Sequence, residues 1–293
     1  MLHFAYDARF DSVGAYLDAV EATRDGQAYH ALGTQAMSLD PDVALRGPCL
    51  AAFVQQCRTM RGFATEIALV RTLVESLTAD ITPLASIKRH RTRARSGSSV
   101  NIHAVYRGDL RRAWSRMERV LTPGGVSHCV LFVPAAYTNA YSANVVRLAM
   151  ACNVALVELL QASGRTCEIW AMSGNENAYG RDRGHRQLVC IKQAGEHWNI
   201  HGMVCLTSPA WYRRLGYRMA EVQQPRLTLT SGYGGRGNDF WPQLVAQTSQ
   251  DLHLPAGIAL LGAGTDNNIV SHTQALTWLE GVLERGIHHH ALP

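Results

Sequence analysis

Lysine is nearly missing from this sequence: of 28 basic residues only Lys88 and Lys192 are lysine, and the rest are arginine. A GC-rich genome produces the same bias, so it carries no argument for phosphate binding. Cysteine is also sparse. Seven cysteines with no CxxC pair exclude a disulfide scaffold and suit a reducing compartment, where buried thiols act as small apolar side chains. Charged residues make up 17% of the chain against 47% hydrophobic, which excludes a disordered or fibrous protein. No run of about 18 apolar residues is uninterrupted, so no membrane span is expected. The opening residues carry Asp7, Arg9 and Asp11 where a signal peptide needs an apolar run, so a cytoplasmic protein is expected.

What is present is unevenly placed. The formal net charge is +5 over 293 residues. Residues 1–80 balance at −4, residues 81–120 at +8, and the remainder at +1. The surplus therefore lies in one stretch. It begins with Lys88, Arg89, Arg91, Arg93 and Arg95, followed by a Ser/Gly-rich tail, and this pattern predicts an exposed arm or loop over 88–95.

Hydrophobic spacing divides the chain into a helical N-terminal region, 1–122, and an α/β domain, 123–293. Phe10, Val13, Leu17 and Val20 recur at helical spacing, with Asp11 or Ser12 as cap. A long helical stripe from Leu50 to Leu77 carries Phe53, Val54, Cys57, Met60, Phe63, Ile67, Val70 and Val74, with Gly62 as a point of interruption. A further helix is expected over 109–120, with Leu110, Trp114, Met117 and Leu121 as its apolar face. Thr122-Pro-Gly-Gly125 then breaks the chain.

From Val126 strands and helices alternate. Strands are expected over 126–133, 166–172, 186–191 and 258–261, and helices over 142–163, 210–221 and 271–285. The helix over 142–163 is apolar almost all round and so belongs in the core, with Gly164 as its stop. Ser208-Pro209 is a cap and first-turn pair for the helix that follows. This order predicts a mostly parallel sheet with helices on both faces. In such a sheet ligands sit at the carboxyl ends of the strands, which points to the loops 134–141, 173–184 and 262–268.

The strand–helix order, with Ala259-Leu-Leu-Gly-Ala-Gly-Thr-Asp-Asn267 near its end, resembles the von Willebrand factor A-like, Rossmann-like fold. In that family Asp-x-Ser-x-Ser after the first strand holds Mg²⁺ through hard oxygen ligands. Here those positions read Pro134-Ala-Ala136-Tyr-Thr138, so the resemblance implies a degenerate metal site; no metal and no cofactor are expected. A narrower resemblance joins Leu206-Thr-Ser-Pro-Ala-Trp-Tyr-Arg-Arg-Leu-Gly-Tyr217 to a recurring segment, His-Pro-Ala-aromatic-aromatic-Arg-Arg-Ile-Gly-Phe, of an uncharacterised bacteriophage family. Asn101–Met117, around Tyr106-Arg-Gly-Asp109, and Phe10-Asp-Ser-Val13 are similar to two more of its segments. Ser208 stands where that family has His, and Arg111 where Pro is common. These segments imply phage or prophage origin, with the host cytoplasm as location, and no reaction.

Three function classes follow. The first is a non-catalytic interaction module holding a protein partner at the sheet rim, through Tyr137, Thr138, Asn139, Thr265, Asp266 and Asn267. The second is sequence-independent binding of nucleic acid, single-stranded DNA above all, through Lys88, Arg89, Arg91, Arg93 and Arg95, because cations that meet phosphate release counterions; the same run reads more simply as a solvated loop or an arm that docks a protein partner. Single-strand binders add stacking surfaces; the arm has none, and the nearest aromatics are Tyr106 and Trp114. Arg213 and Arg214 join this set as anion contacts or, more simply, as solvated residues beside the apolar Trp211, Leu215 and Met219. The third class is a metal hydrolase at His185, His197 and His201, the last two at i, i+4 spacing but with Glu196 placed outside the HExxH order. Cys129, Cys152, Cys167, Cys190 and Cys205 are expected in the core.

Overall fold

The computed structural model describes residues 4–22, 50–59, 63–81, 89–94, 99–119, 128–135, 142–175, 184–197, 199–208, 211, 215–216, 219, 240–256, 258–264 and 269–288. Its centre is a five-stranded sheet of β1 (Phe4–Phe10), β5 (His128–Pro134), β6 (Thr166–Asn175), β7 (Gly184–Lys192) and β8 (Ala259–Leu261). The strands lie in the order β1-β7-β6-β5-β8, and every neighbouring pair is parallel except β6 with β7.

Alternation along these strands builds two cores. Cys129, Leu131 and Val133 of β5 join Cys167, Ile169 and Ala171 of β6 on one face. That face is covered by α1 (Val13–Ala22), α2 (Leu50–Thr59), α3 (Ala64–Asp80), α5 (Ala143–Ala162), α6 (Ile200–Leu206) and α8 (His272–His288). Val130, Phe132, Trp170, Met172 and Leu188 turn to the other face and meet Phe240, Trp241, Leu244 and Val245 of α7 (Phe240–Asp251). The expected mostly parallel sheet with helices on both faces is therefore present.

Helix α5 is long and apolar enough to cross a membrane, and about two-thirds of it is buried inside the protein, as a core helix requires. It ends at Gly164, whose φ of 85° lies in the left-handed region that glycine tolerates. Ser12 caps α1 by accepting from the Ala15 amide at 3.1 Å. The long stripe of residues 50–77 divides into α2 and α3 on either side of Gly62, as its interruption suggested. Trp211, Leu215 and Met219 are buried, and Tyr16 stacks on Trp211 with centroids 4.9 Å apart.

Three expectations are corrected. The N-terminal region is not wholly helical, because Phe4–Phe10 forms an edge strand parallel to β7, so the sheet crosses the expected 122/123 boundary. The segment from Asp109 is not one helix: a short 3-10 turn, Leu110–Arg112, leads into β4 (Trp114–Arg119). The basic stretch is not a loop, since Arg89–Ala94 forms β2, paired antiparallel with β4. In each case a partner strand distant in sequence supplies hydrogen bonds that outweigh the local spacing.

Candidate nucleic-acid interface

The basic stretch folds into a second, smaller sheet. Its order is β2-β4-β3, where β3 is Ser99–Val100, and helix α4 (Ile102–Tyr106) follows β3 directly. The turn into α4 is held by the Asn101 amide, which donates to the Ala113 carbonyl at 2.6 Å. The Asn101 side-chain oxygen accepts from the Ala104 amide at 3.3 Å, capping the helix. Gly108, with φ of 72°, turns the chain out of α4, and the Asp109 amide then reaches the Ala104 carbonyl at 2.9 Å. Ala104 and Ala113 are buried beneath this turn; their small size lets the 3-10 turn close over the helix.

The outer surface of this unit is unusual. Among the described residues eight large apolar side chains are exposed, and six of them lie here: Val100, Ile102, Val105, Tyr106, Leu110 and Trp114. Tyr106 is 85% exposed and Leu110 64%, so neither contributes a core contact of any size. Ile102, Val105 and Tyr106 stand at i, i+3 and i+4 of α4, one helix face. Trp114 is paired across the ladders with Ala94 on one side and Val100 on the other.

Charge gathers on the same unit. Its described residues, 89–94 and 99–119, contain eight arginines against Asp109 and Glu118, a balance of +6. Arg89, Arg91 and Arg93 occupy alternate positions of the edge strand β2, on the ladder face opposite that of the Ala94–Trp114–Val100 register. The register sets Arg89 opposite Arg119, while His90 faces Glu118. Like charges directly opposite in a ladder repel, and an anion laid over them removes that repulsion.

Lys88, Arg95, Arg213, Arg214, Tyr137, Thr138, Asn139, Thr265, Asp266 and Asn267 lie outside the described residues. What is described of the rim is its support. Asn153, fully buried on α5, donates to the Ala263 carbonyl at 2.9 Å and accepts from the Ala263 amide at 2.7 Å. A Cβ on Gly262 would stand 2.6 Å from the Asn153 oxygen, and one on Gly264 would stand 2.9 Å from the Pro134 ring. Close packing thus accounts for the Gly-Ala-Gly sequence. Asn153 was missed by sequence reasoning, and its signal is a lone amide inside an apolar helix, which needs buried partners.

The histidines are spread apart. His185 is fully buried on β7, and desolvation pushes its pKa down to about 4. His197 is exposed ahead of α6, whereas His201 is in its first turn. The cap of α6 falls between them, with the Asn199 side chain accepting from the His201 amide at 2.9 Å. The i, i+4 spacing is therefore not a helical one. Among the described residues no three His, Cys, Asp or Glu side chains gather as a metal site. The five cysteines expected in the core are buried there, together with Cys57.

The chain belongs to the DUF7192 family, described as a domain of unknown function, whose model matches residues 5–269. No curated protein and no solved structure matches the chain.

Proposed function

We propose that this DUF7192 chain binds single-stranded nucleic acid passing over the edge strand β2 of the small sheet, with arginines of 89–119 as phosphate contacts and Tyr106 and Trp114 as stacking surfaces. The observation that carries the reading is the concentration of exposed apolar side chains on the most basic part of the chain. Exposed apolar clusters mark interaction sites, and a strongly positive surround selects an anionic occupant. A single strand offers both a phosphate backbone and unstacked base faces. A duplex keeps its base faces stacked and suits the aromatic surface poorly.

A protein partner at the sheet rim is the second reading. Its support is the Asn153 clamp on the Gly262–Gly264 backbone, which holds the base of that rim rigid. Neither reading requires catalysis. The finer fold assignment, a von Willebrand A-like domain without its metal motif, rests on the strand–helix order after residue 126 and on Pro134 and Ala136. Phage origin rests on the Phe10–Val13, Asn101–Met117 and Leu206–Tyr217 segments.

The test is fluorescence anisotropy at low salt with labelled single-stranded DNA and RNA and the matching duplexes. Single strands bind more tightly than duplex, and Tyr106→Ala weakens binding by about 5- to 150-fold, equivalent to about 1–3 kcal/mol for one stacked base. Absence of binding at low salt, or a Tyr106→Ala protein that binds like the wild type, refutes the proposal.

A further inference from the structure

We propose that Cys129 and Cys167 are a modification site, forming a reversible disulfide that ties β5 to β6. The two residues are direct register partners in the parallel ladder, and their sulfurs lie 3.2 Å apart. Neighbouring strands are about 4.8 Å apart, inside the Cα separation of about 4.4–6.8 Å that a disulfide spans, so the backbone spacing permits the bond once the two sulfurs close from their 3.2 Å separation. Each cysteine is the second residue of its strand. Among the described residues one rung precedes them, where His128 Nδ1 and Thr166 Oγ1 are 3.2 Å apart, and the proposed route for a reagent to the buried sulfurs is the opening of that end of the ladder.

The surroundings make the two sulfurs unequal. The Lys192 ammonium is buried and donates to the carbonyls of Cys167 at 2.8 Å and Gln193 at 2.9 Å, which fixes a cation beside Cys167. The hydrogen bond from Cys129 lowers the Cys167 thiol pKa, helped by the charges of Lys192 and Arg165, and the Cys129 thiol is raised in turn. Cys167 is thus the attacking thiolate. Attack on a low-molecular-weight disulfide forms a mixed disulfide on Cys167 and expels one thiolate. That thiolate takes the Cys129 proton. Cys129 then attacks the Cys167 sulfur, forming the protein disulfide and expelling the second thiolate. Two protein thiols are oxidised, and the small disulfide is reduced to two thiols.

Cys57 and Cys205 supply an internal comparison. Both are buried and hydrogen-bonded to each other, but burial pushes the Cys205 thiol up and no cation is among the influences on it. Native protein is equilibrated in buffers of decreasing reduced-to-oxidised glutathione ratio, quenched, alkylated after denaturation and mapped by tryptic mass spectrometry. The expected product is a Cys129–Cys167 linked peptide pair lighter by two hydrogens, lost on adding dithiothreitol, with a thermal midpoint shift that Cys129→Ser abolishes. Full alkylation of both cysteines in the most oxidising buffer overturns the proposal. So does a Cys57–Cys205 link formed in its place, or an unchanged thermal shift in Cys129→Ser.

Discussion

The five-stranded sheet and the three-stranded sheet use the same kinds of residue in opposite ways. In the large sheet Leu131, Phe132 and Val133 are fully buried, each turned to one of two cores. In the small sheet and the helix and 3-10 turn beside it, Leu110, Val105 and Trp114 are exposed although also apolar. What differs is the sequence around them. The large sheet's apolar residues come in continuous runs that helices cover from both sides. The small sheet's are single residues interspersed in sequence with arginines. Apolar surface left in water adds little to stability, and in the proposed reading it serves recognition.

The comparison is open to breaking. The largest expected effect is at Phe132, where Phe132→Ala removes a fully buried ring and lowers unfolding stability by about 3–5 kcal/mol in a denaturant titration. Leu110→Ala, on the exposed surface, changes stability by no more than about 0.5 kcal/mol. Equal losses at the two positions would erase the distinction between a structural and a recognition surface.

The next effect is that of acid on the large sheet. His185 is held neutral by burial, so between pH 6.5 and about 4 the unfolded chain binds a proton that the folded chain refuses. Stability is therefore fully present above pH 6.5 and falls with pH through that window, by about 3 kcal/mol at the limit. His185→Gln, measured by denaturant midpoint against pH, flattens that slope. A slope unchanged by the substitution would mean that other groups carry the acid sensitivity.

A smaller effect sharpens the comparison at the rim. Gly262→Ala sets a methyl 2.6 Å from the Asn153 oxygen and strains the clamp on Ala263, lowering stability by about 1–3 kcal/mol. Gly108→Ala in the small unit meets no atom within 4 Å, and its effect is confined to the strain of a left-handed backbone, about 1 kcal/mol. Thermal denaturation of the two variants side by side checks the order.

Legibility in the sequence follows the same division. Helix α5 and strands β5, β6, β7 and β8 were readable because their apolar residues run together and Gly164 marks a stop. Beyond residue 208 the inward stripe of Trp211, Leu215 and Met219 was readable too. Strands β1 and β2 were not, because Asp7 and Arg9 interrupt one and arginines alternate with His and Thr in the other. Neither strand announces its partner, and both are set by pairing with segments far along the chain. The helical spacing of Leu110, Trp114 and Met117 was misleading for the same reason: β4 lies between β2 and β3, and ladder bonds on both sides override a local helix. Helix α7 gives no clear signal in the sequence, since Pro242 and a polar run hide its buried Phe240, Trp241 and Leu244. The arginines of the candidate site were visible as charge, but the exposure of Tyr106 and Trp114 on the same small unit is legible only in the fold.

The most direct measurement of the central claim is the dependence of single-strand affinity on salt. Log affinity against log salt is compared for the wild type and a protein carrying Arg89→Gln, Arg91→Gln and Arg93→Gln. With each phosphate contact on a single strand contributing about 0.7 to the slope, the account predicts a slope shallower by about 2 in the variant. Parallel lines for the two proteins, or no binding at the lowest salt, would contradict it.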